Sequence, residues 1–131
     1  MKNTAIATIV VLLAIAAVAA QQQPLFKRTL LQQQDISAPG REAVVALVEF
    51  QPGGGPGRHT HPGEEISYVL DGSLVLEQAG KPNVTVKAGD SFIIPAGVVH
   101  TATNRGTGVA KIVATYVVEK GKPLATPASS H

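Results

Sequence analysis

The chain has 131 residues, 11 basic and 9 acidic side chains for a formal net charge of +2, 44% hydrophobic residues and no cysteine. That length suffices for one domain with a modest core and not for two. The near-neutral balance, with no basic stripe or interleaved aromatics, argues against a nucleic-acid partner, and the missing thiols exclude a disulfide framework, thiolate metal ligation and a cysteine-linked lipid anchor.

In chain order, Lys2, the apolar run Ile6 to Val18 and the small residues Ala17, Ala19 and Ala20 precede the polar Gln21-Gln22-Gln23-Pro24. This is the order of a secretory signal peptide, and the run falls short of the roughly 20 residues that span a bilayer. Residues 1–20 are therefore expected to be removed after Ala19 or Ala20, with delivery to the periplasm or medium of a bacterium and no membrane anchor left behind. Losing Lys2 leaves 10 basic against 9 acidic side chains.

Residues 21–42 read as a spacer and an edge strand. Leu25 to Leu31 is extended, with Lys27-Arg28 marking an edge, and Ser37-Ala38-Pro39-Gly40 is turn chemistry. Residues 43–119 read as the folded domain. Ala43 to Phe50 is a strand whose near-continuous apolarity predicts burial on both faces. Gly53-Gly54-Gly55-Pro56-Gly57 cannot be a helix, and no Lys-Ser/Thr follows to make a phosphate cradle. Pro62-Gly63 reads as a turn. Ile66 to Leu70 and Ser73 to Glu77 are short strands around Asp71-Gly72, which is expected to close a tight hairpin.

Val84-Thr85-Val86 alternates like a half-exposed strand, Ser91 to Ile94 extends, and Pro95-Ala96-Gly97 interrupts just before Val98-Val99-His100. Val109 to Val118 is the last and longest strand, and residues 120–131 read as a polar, mobile tail. No stretch after the leader has the apolar period of an amphipathic helix. Short strands with turn signals every eight to twelve residues predict an all-β sandwich or barrel.

The chemistry concentrates in three of the four histidines. His59 and His61, two apart on an extended segment, put both imidazoles on one side. Glu65 follows close enough to bring a carboxylate to the same point, and His100 lies on a second strand that could face the first. Three histidines and one glutamate make a metal-ligand set. Glu64 adjoins Glu65, but strand alternation favours Glu65 and leaves Glu64 solvated. Phe50, Tyr68, Phe92, Ile94 and Val98 are candidates to line a pocket beside the ion.

Gly53, His59, His61, Glu65 and Gly72 fit the pattern G-x5-H-x-H-x3-E-x6-G, while Gly89, Pro95, Gly97, His100 and Asn104 fit G-x5-P-x-G-x2-H-x3-N. Together these resemble the two motifs of a small single-domain bacterial cupin over about Val44 to Val118. The resemblance implies a double-stranded β-helix, or jelly-roll, barrel in which His59, His61, Glu65 and His100 bind one divalent transition metal. Manganese, iron, nickel, cobalt, copper and zinc all suit such ligands, with copper or zinc expected to compete strongly outside the cytoplasm. The glycines, the proline and Asn104 are assigned to shape rather than ligation.

Two classes of function follow. One is a metal-dependent dioxygenase, as the resemblance implies, or a Lewis-acid isomerase or lyase acting on a small oxygen-rich compound, with Glu65 able to move a proton if it loosens from the ion. The other is a module that captures metal or a small ligand without turnover. A sugar epimerase of the same barrel shape needs a histidine base rather than a full ligand quartet, which counts against it. A homodimer is expected, covering apolar edges near Leu25 to Leu31 and Val109 to Val118.

Overall fold

Alternating side chains along antiparallel strands decide the architecture, because each strand can offer one face to a shared interior. The computed structural model describes residues 23–129, and the expected leader at 1–20 lies outside them. Ten strands follow in order: β1 Phe26–Asp35, β2 Arg41–Phe50, β3 His59–Thr60, β4 Gly63–Asp71, β5 Ser73–Gln78, β6 Val84–Lys87, β7 Ser91–Ile94, β8 His100–Thr103, β9 Ala110–Glu119 and β10 Thr126–Pro127. They form two five-stranded sheets, β1-β2-β9-β4-β7 and β10-β3-β8-β5-β6. Every pairing is antiparallel. The chain is all-β, and no helix among the described residues is long and apolar enough to cross a membrane.

The core lies between the sheets. β2 contributes Val44, Ala46, Val48 and Phe50, β9 contributes Ala110, Ile112, Ala114, Tyr116 and Val118, and β5 answers with Leu74 and Leu76. Burial on β2 and β9 alternates strictly over these positions. Ala43 to Phe50 is therefore not buried on both faces, contrary to expectation. Val45, Leu47 and Glu49 alternate with the core positions and are only half-covered, while β1 and β9 flank β2 within the sheet.

Asp71-Gly72 is not a hairpin. β4 and β5 belong to different sheets, so the dipeptide is the corner by which the chain crosses from one to the other. Only Gly72 has a positive φ, at 71°. A methyl group there would lie 2.8 Å from the Ala110 Cα, so the corner needs glycine for space as well as for conformation.

Val109 to Val118, expected to present an exposed edge, is instead the middle of its sheet, with β2 and β4 on either side. β1 and β7 are the edges of this sheet, and β1 pairs along the length of β2 with one irregularity between Leu30 and Gln32. The tail departs from expectation as well. Thr126 and Pro127 pair with β3, and the Ala128 N–H donates to the Arg58 carbonyl at 2.9 Å.

Asn104 behaves as the turn clip it was expected to be. Its buried amide donates to the carbonyls of Phe50 at 2.9 Å and Gly108 at 2.7 Å, while its oxygen accepts the Gly106 N–H at 2.9 Å. The main chain of Asn104 also exchanges hydrogen bonds with Gly53 and Gly54, at 2.7 and 2.9 Å. The two glycine-rich segments that carry the histidines are therefore tied together at their ends.

Candidate metal centre

Four side chains converge at one end of the interior. β3 and β8 are neighbours in one sheet, and His59 stands directly opposite His100 in their register, with ring centroids 4.3 Å apart. His61 follows immediately after β3, and the Gly97 N–H donates to its carbonyl at 3.1 Å, binding the first histidine segment to the second. Glu65 comes from β4 in the other sheet, so the cluster bridges both layers. All four residues are buried, and their donor atoms lie within 4.8 Å of one another. Glu64 is exposed, as strand alternation required.

The hydrogen bonds around the rings decide which nitrogens face inward. Nδ1 of His59 lies 2.7 Å from the Gly57 carbonyl, Nδ1 of His61 lies 2.7 Å from the Leu124 carbonyl, and Nδ1 of His100 lies 2.9 Å from the Val98 carbonyl. A carbonyl only accepts, so each Nδ1 carries a proton and each ring turns its Nε2 toward the centre, where a neutral ring presents a lone pair. There the separations are 3.2 Å from His59 Nε2 to His61 Nε2, 3.1 Å from His61 Nε2 to Glu65 Oε2 and 3.0 Å from His100 Nε2 to Glu65 Oε2.

Lone pairs and an anionic oxygen facing one another at such distances repel unless a metal ion or a proton sits among them. Metal–nitrogen bonds of about 2.1 Å at right angles would separate neighbouring donors by about 3.0 Å, which matches the spacing. His59, His61, Glu65 and His100 could therefore hold a metal ion. The Ser67 hydroxyl donates to Glu65 Oε1 at 2.9 Å, which orients the carboxylate and leaves Oε2 for the centre.

The same contacts set the charge on the carboxylate. Burial pushes the Glu65 carboxyl up, but contact with His100 and His61 outweighs it and holds the group well below the usual carboxylate range. Burial is the main reason the His59 imidazole is lowered to about 4, with His100 and His61 adding to it against the hydrogen bond to Gly57. At neutral pH the set offers a neutral His59 and an ionised Glu65, the forms a metal requires.

The sign for stability follows. Between about pH 6.5 and 4 the unfolded chain takes up a proton at His59 that the folded chain refuses, so metal-free protein loses stability as pH falls through this window. Depression of the Glu65 carboxyl acts in the same direction below about 4.5. The His59 contribution is at most about 3 kcal/mol. Thermal melts of chelator-treated protein should show a midpoint roughly 10 °C lower at pH 4.5 than at pH 7. A midpoint unchanged across that range would contradict a His59 ring that stays neutral in the folded chain.

Beside the cluster is a cavity of about 20 Å³, room for one or two waters. Phe50 and Phe92 line it as expected. Tyr68 does not: it is 49% exposed on the outer side of β4. Ile94 is core and Val98 packs against the core, and neither borders the cavity.

Sequence reasoning missed Phe26, Arg28 and Tyr116. Tyr116 stacks edge-on against His61 with centroids 4.7 Å apart, and burial first, then the Glu65 charge, push its hydroxyl up to about 12 against the opposing pull of Arg28. Its alternation with Ile112 and Ala114 on β9 was the available signal. Arg28 and the Leu124 carbonyl carried none, because nothing local shows which way an edge strand or a tail will fold.

Comparison with known proteins agrees with this geometry. The family model described as a cupin domain matches residues 46–122. Germin-like protein 1-1 of Oryza sativa subsp. japonica is 39% identical over 77 residues, covering 55% of this chain and 36% of its own length. The HTH-type transcriptional regulator PuuR of Escherichia coli (strain K12) is 35% identical over 79 residues, covering 60% of this chain and 42% of its own. The chain thus spans less than half the length of either relative.

Among solved structures, a conserved protein with a double-stranded β-helix domain from Klebsiella pneumoniae subsp. pneumoniae MGH 78578 superposes with a TM-score of 0.67 at 23% identity, over 80% of this chain and 85% of that one. Oxalate oxidase in complex with the substrate analogue glycolate superposes with a TM-score of 0.63 at 25% identity, over 81% of this chain and 56% of that one. The family match takes in more than half of the chain and contains all four converging side chains, so this chain belongs to the cupin family.

Proposed function

We propose that the chain is an exported metalloprotein in which His59, His61, Glu65 and His100 hold one divalent transition metal, and that it acts as a metal-dependent oxygenase on a small oxygen-rich compound. The observation that carries the reading is the inward set of three Nε2 atoms and one carboxylate oxygen, 3.0 to 3.2 Å apart, a spacing that suits donors gathered around one ion. An ion with four protein ligands keeps about two octahedral positions open and would supply Lewis-acid and redox chemistry there. The chain's own part is to hold the ligands rigid through their Nδ1 bonds, to exclude water with Phe50 and Phe92, and to offer Glu65 as a base if it leaves the ion.

The size of the cavity favours a compound that presents only a small head to the centre. The likeness to oxalate oxidase, a protein solved with glycolate, supports the same choice. The homodimer belongs to this proposal too, supported by Ile66, Tyr68, Leu70 and Ile93, which are 45 to 59% exposed on the outer face of one sheet.

A second reading, a binding module without turnover, has one observation in its favour. Apart from the ligands themselves, the cavity is lined by no histidine or carboxylate to serve as a separate base. Oxygen consumption by metal-loaded protein, tested with each candidate metal against small hydroxy and keto compounds, catechols, diketones and flavonols, separates the two. Turnover with a small member of the panel, lost in His100→Ala, is expected. No consumption with any metal would leave the binding module as the function.

A further inference from the structure

We infer that Arg28 is the specificity-determining residue of this site and that it selects a small organic carboxylate, whose anionic group reaches the open positions beside the four ligands while its body rests in the vestibule outside. The inference rests on the metal-binding reading and goes past it by naming the charge of the substrate.

The edge strand β1 carries Arg28 opposite Val48 and turns its side chain to the mouth of the interior. The guanidinium lies 5.4 Å from the Phe26 ring and 5.5 Å from the Tyr116 ring. The two rings hold the planar cation in place, and contact with the Tyr116 hydroxyl engages only part of its N–H fork. Those donors lack an anionic partner: Arg28 forms no ion pair among the described residues, and its Nε is buried with no hydrogen-bond partner. Glu42 borders a neighbouring cavity with Arg28, but its carboxylate is engaged by Gln33 at 3.0 Å. A buried donor left unmade is costly, and an anion bound beside it would supply the missing partner.

The summed charge gives the sign of the ligand. A divalent ion, three neutral imidazoles and the Glu65 carboxylate come to +1, and Arg28 raises the site to +2. The vestibule adds to this excess. Its volume is about 220 Å³, it shares Phe26, Arg28, Pro56 and His59 with the inner cavity, and Arg58 lies on its rim with no carboxylate in its lining. A concave, largely apolar entrance carrying one sign of charge draws in the opposite sign. Among anions, the flat fork of Arg28 matches the two oxygens of a carboxylate.

The test uses full-length mature protein loaded with cobalt(II), whose visible spectrum reports ligands entering its coordination positions. Cobalt content is measured first, then glycolate and its neutral counterpart 1,2-ethanediol are titrated into wild type, Arg28→Gln and Arg28→Lys. Glycolate should perturb the wild-type spectrum with at least tenfold higher affinity than ethanediol. Arg28→Gln should weaken glycolate at least tenfold without changing cobalt content, and Arg28→Lys should recover part of the loss.

Wild-type protein that binds ethanediol as well as glycolate, or fails to bind glycolate, overturns the inference without recourse to any variant. Cobalt-loaded Arg28→Gln with wild-type glycolate affinity also overturns it. Wild-type protein that takes up no cobalt overturns the metal reading, and the carboxylate site with it, so the two failures are told apart by the metal content.

Discussion

His100→Ala is expected to abolish tight metal binding. The side chain supplies one of three Nε2 donors and stands opposite His59, so its loss opens one side of the cluster and leaves Glu65 Oε2 without its 3.0 Å neighbour. Changes to groups that only orient a ligand cost 10- to 100-fold in affinity, and removing a ligand itself should cost about 100-fold or more. Where wild type is studied at free metal about 1,000 times its dissociation constant, bound metal contributes about 4 kcal/mol to stability, of which a 100-fold loss of affinity removes about 2.7 kcal/mol. Elemental analysis and thermal melts, with and without chelator, check this. The gap between variant and wild type should be wide in metal and narrow in chelator, because without an ion the substitution also relieves crowding among facing lone pairs. Unchanged metal content would refute the ligand assignment.

Gly63→Ala is expected to be the most damaging glycine substitution near the site. Gly63 reads in the sequence as half of a turn, but it opens β4 opposite Val118. A methyl group there would overlap the Val117 carbonyl oxygen and come within 2.7 Å of the Val118 Cα. Backbone on the central strand β9 cannot step aside as a flexible side chain would, so the cost should reach about 3 kcal/mol or more. Because Gly63 lies between His61 and Glu65, a displaced β4 also spoils the ligand set, and metal affinity should fall along with the melting temperature. Gly108→Ala, at a position with open space and no positive φ, is the matched control and should change stability by no more than about 0.5 kcal/mol. Equal effects from the two substitutions would show that close packing of β4 on β9 does not matter.

The sequence by itself determined the all-β class, because alternation and turn residues act locally, and it singled out His59, His61, Glu65 and His100, because their spacing is a local pattern repeated in two registers. Asn104 was legible for the same reason, as a turn residue between turn residues. Only the tertiary structure decided which strands share a sheet, and on that point local reading misled: Asp71-Gly72 has the composition of a hairpin, yet the two sheets competing for β4 and β5 make it a corner.

The Leu124 carbonyl behind His61, the Ser67 hydroxyl on Glu65 and the Arg28 side chain beside Tyr116 were likewise settled only by folding. Leu124 and Arg28 come from the tail and the edge strand, far along the chain from the groups they meet, and Ser67 is an ordinary strand residue until Glu65 is buried next to it. Candidate ligands are marked by residue type and spacing, whereas the groups that orient them and set the charge of their surroundings are chosen by long-range packing, which no local pattern encodes.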